Sequence, residues 1–256
     1  MDPGNRLNQA GCAAWERESP NAPAGVNLLV MSASADSSAS SLSLPALVPP
    51  ARVRAYDLGA WFYDLVVGSR LYHNIVWGMP PDQHLAFARR AIQAAPSGAV
   101  LDAGCGSLLF TAPCYRESSR ELTLLDGSST MLARAARRLG SASRARLIQG
   151  DLRALPFEAE RFAATLHFGV LHCLDEGDRA LEEMFRVTRP GGRLFLSCLT
   201  LARPRGDAFL RRLARAGHVA APRHPQEVLN AIAGAGFRRV ERRQHGSFLF
   251  VEALRP

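Results

Sequence analysis

The sequence predicts an α/β protein in which a mostly parallel sheet of seven strands is covered on both faces by helices and ends in one antiparallel hairpin strand. Three observations predict it. Short apolar runs alternate with helix-like runs between Ala99 and Leu199, a glycine turn follows the first of them, and the last two runs are separated only by Gln244-His245-Gly246. Alternating βα units give parallel strands, whereas so short a link joins only antiparallel neighbours.

The elements follow in order. Residues 1–50 are rich in Ser, Ala, Pro and Gly and lack either periodicity, most plainly from Ser32 to Ser43, so this stretch is expected to be disordered. Met31, at the head of its most serine-rich part, is a candidate start of the chain. Residues 51–97 are expected to form a helical lid. Tyr56, Ala60, Tyr63 and Val67 share one helical face, and Asp82 to Ala95 repeats apolar residues until Pro96-Ser97-Gly98 stops it. Such a face serves as core packing or as a cover over a ligand. Residues 98–256 then carry the sheet. Its strands are Ala99–Leu101, Glu121–Leu125, Ala145–Ile148, Phe162–His167, Arg193–Leu199, Phe237–Arg242 and Ser247–Glu252, and its helices are Ser129–Leu139, Asp178–Val187 and Pro225–Ala233.

Composition narrows the function. The chain of 256 residues is 47% hydrophobic and 21% charged, which suits one globular domain with accessories. The net charge is +8 and all 31 basic residues are arginine, scattered along the chain and not massed with aromatics. A nucleic-acid partner is therefore not expected. The five cysteines form no C-x-x-C pair and no zinc-like spacing, which points to reduced thiols in a cytoplasmic protein and to no metal. No apolar stretch reaches the roughly 18 residues of a membrane span.

Four motifs carry the chemistry. In Val100-Leu101-Asp102-Ala103-Gly104-Cys105-Gly106-Ser107 a buried strand enters a turn whose glycines let a ligand approach the backbone, and a helix is expected to follow. Leu109 stands where a dinucleotide fingerprint has its third glycine, which disfavours a nicotinamide cofactor. The second motif, Leu124-Leu125-Asp126-Gly127-Ser128, places a carboxylate 24 residues after Asp102, near the roughly 20-residue offset at which an acid meets ribose hydroxyls. Its simpler role is a cap on the Ser129 helix. The third is Gln149-Gly150-Asp151-Leu152, with His167-Phe168-Gly169-Val170-Leu171-His172 beyond it, and the fourth is the turn Arg189-Pro190-Gly191-Gly192-Arg193.

This ordered series resembles the class I, Rossmann-like S-adenosylmethionine-dependent methyltransferases, in particular the subgroup similar to ubiquinone and menaquinone methyltransferases, over about Ala99 to Leu199. The segment Tyr56 to Asp64 is similar to that subgroup's opening helix. The resemblance implies S-adenosylmethionine as cofactor. Gly104, Cys105 and Gly106 would line its methionine part, with Asp102 orienting the loop or meeting the amino group through water. Asp126 would hold the ribose hydroxyls, Ser128 and Met131 would flank the adenine edge, and Gly127, between Asp126 and Ser128, would belong to the same cofactor site. Asp151 would accept from the adenine amino group, Leu152 would lie against the ring, and His167 and Phe168 would sit beside the sulfonium. One departure is Leu108, where the family usually has a further glycine.

Methyl transfer chiefly needs positioning and exclusion of water. A base helps when the acceptor is a hydroxyl or a carbon acid, and His172, just past the fourth strand, is the candidate catalytic residue. Tyr56, Tyr63, Tyr72 and Trp77 are the candidate substrate-binding residues of an aromatic lid. The expectation is a cytoplasmic enzyme, monomer or homodimer, that methylates O, N or C of a small-molecule substrate. The alternatives are an RNA or protein methyltransferase and a non-catalytic S-adenosylmethionine-binding regulator. The first lacks its Asn-Pro-Pro-aromatic signature here, and only the altered glycine loop hints at the second.

Overall fold

The computed structural model describes the backbone of residues 28–30 together with residues 69–256 apart from residue 142. Tyr56 and Tyr63, and with them the opening of the expected lid, lie outside the described residues.

Eight strands form one sheet: β1 Leu28–Val30, β2 Val100–Ala103, β3 Leu122–Asp126, β4 Arg146–Gln149, β5 Phe162–Phe168, β6 Thr188–Leu199, β7 Arg238–His245 and β8 Phe248–Leu254. Their order across the sheet is β1-β4-β3-β2-β5-β6-β8-β7. The pairs from β1 to β6 are parallel, and β8 runs antiparallel to both β6 and β7. The chain builds outward from β2 through β3 to β4 and then crosses to β5 and β6, so the strand order switches between β2 and β5. Ligands of open α/β sheets bind at the carboxyl ends of the strands beside such a switch.

Strand alternation sorts the core onto two faces. On β2, Val100 points with Leu122 and Leu124 toward Ala88, Ala91, Leu132 and Ala135, which belong to α1 Asp82–Ala94 and α3 Ser129–Leu139. Leu101 and Ala103 point the other way, toward Leu181, Met184 and Ile232 of α4 Gly177–Val187 and α6 Pro225–Gly234. Between α1 and α3 lies the five-residue helix α2 Ala112–Arg116. Each fully buried leucine contributes about 1.5–3 kcal/mol.

The structure adds two elements to the seven-stranded expectation and places a third later than expected. β1, a three-residue strand in the stretch expected to be disordered, pairs with β4 at one edge. The helix after the glycine turn is the short α2, which begins only at Ala112. A further helix, α5 Pro204–Arg215, follows β6. Asp207 starts it by accepting the amides of Ala202 and Arg203 at 2.9 and 3.0 Å, and its many arginines hide its inward residues Phe209, Leu210 and Leu213 from a periodicity reading. β6 also begins at Thr188 instead of Arg193. A bulge between Phe162 and Ala164 on its partner β5 takes up the Pro190-Gly191-Gly192 turn, with Gly191 at φ 72°.

A third cluster lies at the carboxyl edge. A helical turn at Arg70–Tyr72 continues as the wider turn His73–Trp77, whose Trp77 packs with Leu199, Leu210, Phe248 and Phe250. The amide of Ser247, in the β7–β8 hairpin, donates to the Trp77 carbonyl at 2.8 Å and ties the turn down. On the far side of the hairpin, β7 is the other edge of the sheet, and its Arg238, Arg239, Arg242 and Arg243 are all exposed.

Candidate functional site

The end of β2 is held by the end of β3. Gly104 and Cys105 both donate their amides to the Leu125 carbonyl, at 2.7 and 3.0 Å. The bend needs glycine, because Gly104 has φ 88° and Gly106 φ 56°. A β-carbon at Gly104 would lie 3.1 Å from Val170 Cγ2 and 3.4 Å from Leu152 Cδ1, so the loops after β4 and β5 close tightly on the bend. Gly106 and Gly169 instead face open space. That space at the switch between β2 and β5 is where a ligand can lie against bare backbone.

Asp126 organises the bend. Its Oδ2 accepts the Gly106 amide at 2.8 Å and its Oδ1 accepts the Ser128 amide at 2.9 Å. Ser128 Oγ in turn accepts the Met131 amide at 3.1 Å and caps α3, and Gln149 Nε2 donates to the Gly127 carbonyl at 3.0 Å. The residues expected to bind the cofactor from Gly104 to Met131 therefore surround one bend. Ser128, not Asp126, is the helix cap, and Asp126 ties that cap to the bend.

Leu108 keeps the left-handed conformation that a glycine would adopt freely, at φ 56°, with its side chain buried at 1% exposure. A left-handed L-residue costs about 1–2 kcal/mol. Packing of that side chain among Ala112, Tyr115 and Leu132 offsets the cost, so the loop keeps its course with leucine in place.

Asp102 is buried. Its Oδ2 accepts the Tyr115 hydroxyl at 2.7 Å, while Oδ1 has no partner. Burial pushes its carboxyl up to about 7, Asp126 pushes it the same way, and the Tyr115 bond opposes both. His167 is fully buried with Nδ1 2.5 Å from the Ala103 carbonyl. A carbonyl only accepts, so Nδ1 carries the proton and Nε2, which has no partner, presents a lone pair. Burial lowers this histidine to about 4.

Asp151 is held by Arg153, whose guanidinium reaches it at 2.7 Å and Glu176 at 3.0 Å. Burial raises the Asp151 carboxyl, but the Arg153 bonds outweigh burial and hold it below the usual range. Phe168 meets Phe87 edge-on at 5.5 Å.

His172 lies in a short turn, Leu171–Cys173, after β5. The Leu199 amide donates to its Nδ1 at 3.3 Å. Burial first, and His167 second, lower it to about 4, so the ring is neutral and its proton sits on Nε2. The accepting nitrogen is occupied by Leu199, and the other nitrogen offers a donor.

Tyr72 and Trp77 are positioned as packing residues. Both rings meet Phe209 of α5, at 6.2 and 5.5 Å, and Trp77 is 3% exposed. Trp77 also meets Phe248 edge-on, at 6.4 Å. A buried ring that sequence reasoning missed is His84 on α1. It stacks on Phe110 at 5.0 Å, meets Phe248 edge-on at 4.7 Å and His73 at 5.6 Å. The available signal was spacing: His84, Ala88, Ala91 and Ala95 form one buried helical stripe with a single polar member.

Among the described residues no group of three His, Cys, Asp or Glu side chains could hold a metal ion, and no helix is long and apolar enough to cross a membrane.

Comparison with known proteins agrees with this geometry. Residues 101–196 match the methyltransferase domain family. A demethylmenaquinone methyltransferase of Renibacterium salmoninarum is 38% identical over 108 residues, 42% of this chain and 44% of that protein. The chain spans about half the length of the curated relatives it matches. Among solved structures, the [4+2]-cyclase SpnF superposes with a TM-score of 0.65 at 18% identity, covering 81% of this chain and 97% of that one. Geranyl diphosphate C-methyltransferase of Streptomyces coelicolor A3(2), solved with geranyl diphosphate and S-adenosyl-L-homocysteine, superposes at 0.56 with 16% identity, covering 67% and 77%. The fold is that of the Rossmann-like methyltransferases.

Proposed function

From the methyltransferase domain at residues 101–196, we propose that this chain binds S-adenosylmethionine and transfers its methyl group to O, N or C of a small molecule. The observation that carries the reading is the Gly106–Asp126 bond at 2.8 Å, which sets a glycine bend and a carboxylate side by side at the strand switch. The residues fit the cofactor. Asp126 holds the ribose hydroxyls, and Ser128 and Met131 flank the adenine. Asp102 Oδ1, buried and unpartnered, awaits the amino group of the methionine part directly or through water.

When bound, S-adenosylmethionine supplies an electrophilic methyl. The protein's own part is positioning and exclusion of water, which in well-oriented reactions is worth roughly 7–11 kcal/mol. Val170 and Leu152 close over Gly104. A small-molecule acceptor accords with the named substrates of the quinone and prenyl methyltransferases to which the chain is similar. The free thiols of Cys105, Cys114, Cys173 and Cys198 accord with a cytoplasmic location. The same fold in a named cyclase makes direct measurement of methyl transfer necessary. Calorimetric titration with S-adenosylmethionine and S-adenosylhomocysteine, followed by label transfer from methyl-labelled cofactor into small metabolites, is the test. Absence of binding to the full chain overturns the reading, and binding without any label transfer leaves a cofactor-dependent protein that is not a methyltransferase.

A further inference from the structure

We propose that cofactor binding is a proton exchange at Asp102: its carboxyl carries a proton until the cofactor's ammonium group expels it, and Tyr115 is the positioning residue that holds the carboxylate for that ammonium. This rests on the methyl-transfer reading and deepens it by stating what the buried acid and its tyrosine do in the site.

The connection between the two residues comes first. Asp102 stands two residues before Gly104, is 2% exposed, and keeps one oxygen, Oδ1, without a hydrogen-bond partner. Its other oxygen accepts the Tyr115 hydroxyl at 2.7 Å, which limits how the carboxyl can turn. Tyr115 comes from α2, the helix that closes the loop after the glycine bend, and it packs with Leu108 of that loop. One bond across 13 residues therefore joins the strand before the bend to the helix after it.

Among the described residues no cation is paired with Asp102. Its register neighbours are Leu124 on β3 and Leu166 on β5. The titratable groups acting with it are Tyr115, Cys105, Cys114 and Asp126, all of them acids. On the helices of the same face, Arg89 of α1 pairs with Glu117 at 3.6 Å and Arg138 of α3 donates to the Ser107 carbonyl. His84 of α1 faces Phe110, Phe248 and His73. His167 follows Leu166 and so lies on the other face of the sheet, with its proton on the Ala103 carbonyl.

A carboxylate buried without a counter-charge is costly, so the acid holds its proton; burial, aided by Asp126, raises it to about 7. An ammonium group supplies the missing charge. The exchange balances. The O–H bond of Asp102 breaks, its proton passes to solvent, and the carboxylate pairs with an ammonium that keeps all its own protons. Tyr115 works against burial, because its hydroxyl donates to the ionised form and lowers the carboxyl. It brings the exchange down to near-neutral pH and leaves Oδ1 as the free acceptor.

The probes are S-adenosylhomocysteine and 5′-methylthioadenosine, the same nucleoside thioether without the amino-acid tail. Calorimetric titration of the full chain at pH 6 and pH 8, in buffers of different ionisation heat, counts the protons released. A group titrating at about 7 is about nine-tenths protonated at pH 6 and about one-tenth at pH 8. The wild type should therefore release about 0.9 proton per S-adenosylhomocysteine at pH 6 and about 0.1 at pH 8, and bind it about tenfold more weakly at pH 6. 5′-Methylthioadenosine should release none and keep its affinity within about twofold. His84, His167 and His172, lowered to about 3, 4 and 4, are neutral at both pH values and add nothing to the count.

Asp102→Asn, neutral and of the same shape, should release no proton with either probe. Tyr115→Phe should release clearly more than the wild type at pH 8 with S-adenosylhomocysteine, while its affinity for 5′-methylthioadenosine stays within about twofold. A tyrosine that only packs would weaken both probes alike and leave the proton count unchanged, and that result overturns its positioning role. No release by the wild type at pH 6, or equal release with 5′-methylthioadenosine, overturns the exchange. The wild type and Asp102→Asn decide this even if Tyr115→Phe fails to fold. Failure of the wild type to bind either probe at pH 8 would register separately, as loss of the methyl-transfer reading.

Discussion

The Asp126 carboxylate and the Gly106 amide meet at 2.8 Å, so a side chain at the end of β3 fixes the bend that ends β2. The site is therefore a property of two neighbouring strands, and disturbing either partner should disturb the other.

Asp126→Ala removes an acceptor of two backbone amides, each a charge-assisted bond worth about 1.5–3 kcal/mol. Calorimetry should show S-adenosylmethionine affinity falling by at least about tenfold, with a loss of folding stability alongside. Gly104→Ala and Gly106→Ala separate packing from access. The Gly104 variant meets Val170 and should lose stability on urea unfolding, whereas the Gly106 variant carries only backbone strain of about 1 kcal/mol yet puts a methyl into the open space and should bind cofactor far less well. Equal binding by wild type and Gly106→Ala would move the ligand away from the bend.

Leu108 reverses an ordinary ranking. In most settings glycine is less stabilising than alanine by roughly 0.5–1 kcal/mol. Here Leu108→Ala should lose about 2–5 kcal/mol of packing and keep the left-handed strain, while Leu108→Gly loses the packing and sheds the strain. Chemical denaturation should place the glycine variant above the alanine variant, and the opposite order would mean that φ at this position is not strained.

Buried histidines give the fold an acid-labile side. Burial lowers His84 to about 3 and His167 to about 4 from the ordinary 6.5, so the unfolded chain takes up protons that the folded chain refuses as pH drops below 6.5. Each contributes a fall of up to about 1.4 kcal/mol per pH unit, from 6.5 down to its folded value. Asp102 works in the other direction between about 4 and 7, since the folded chain holds a proton there that the unfolded chain has released. His172, lowered to about 4, adds to the two, so three histidines oppose one carboxyl: the urea midpoint should decline from pH 6.5 to 4.5, and His84→Phe should reduce that decline. A midpoint independent of pH over this range would show that these rings are solvated.

Tyr115 tunes Asp102. Tyr115→Phe removes the only bond that lowers the carboxyl, so its titration, followed by carbon-13 NMR, should move further above about 7, while Asp102→Asn should abolish it.

How much of this was legible beforehand follows the range of each signal. Gly104, Gly106, Asp126 and Ser128 could be read from sequence because local turns and caps demand those residue types. His84 could not, since its enclosure comes from Phe110 and Phe248, which are distant in the chain and meet it only in the folded state. His172 was found as a residue, but its tautomer was not legible, because a backbone amide on β6 decides it. The helix α5 escaped notice for a third reason: Arg211, Arg212 and Arg215 crowd its outer face and mask the inward spacing of Leu210 and Leu213. β1 escaped because three residues carry no period.

The arginines of β7 have a consequence for how copies of the chain behave toward one another. A terminal strand with free amides and carbonyls is a template on which another molecule can zip, and Arg238, Arg239, Arg242 and Arg243 line that rim with like charge. Two such rims repel before their backbones can join. Those four side chains thus work as a guard against filament growth from this rim.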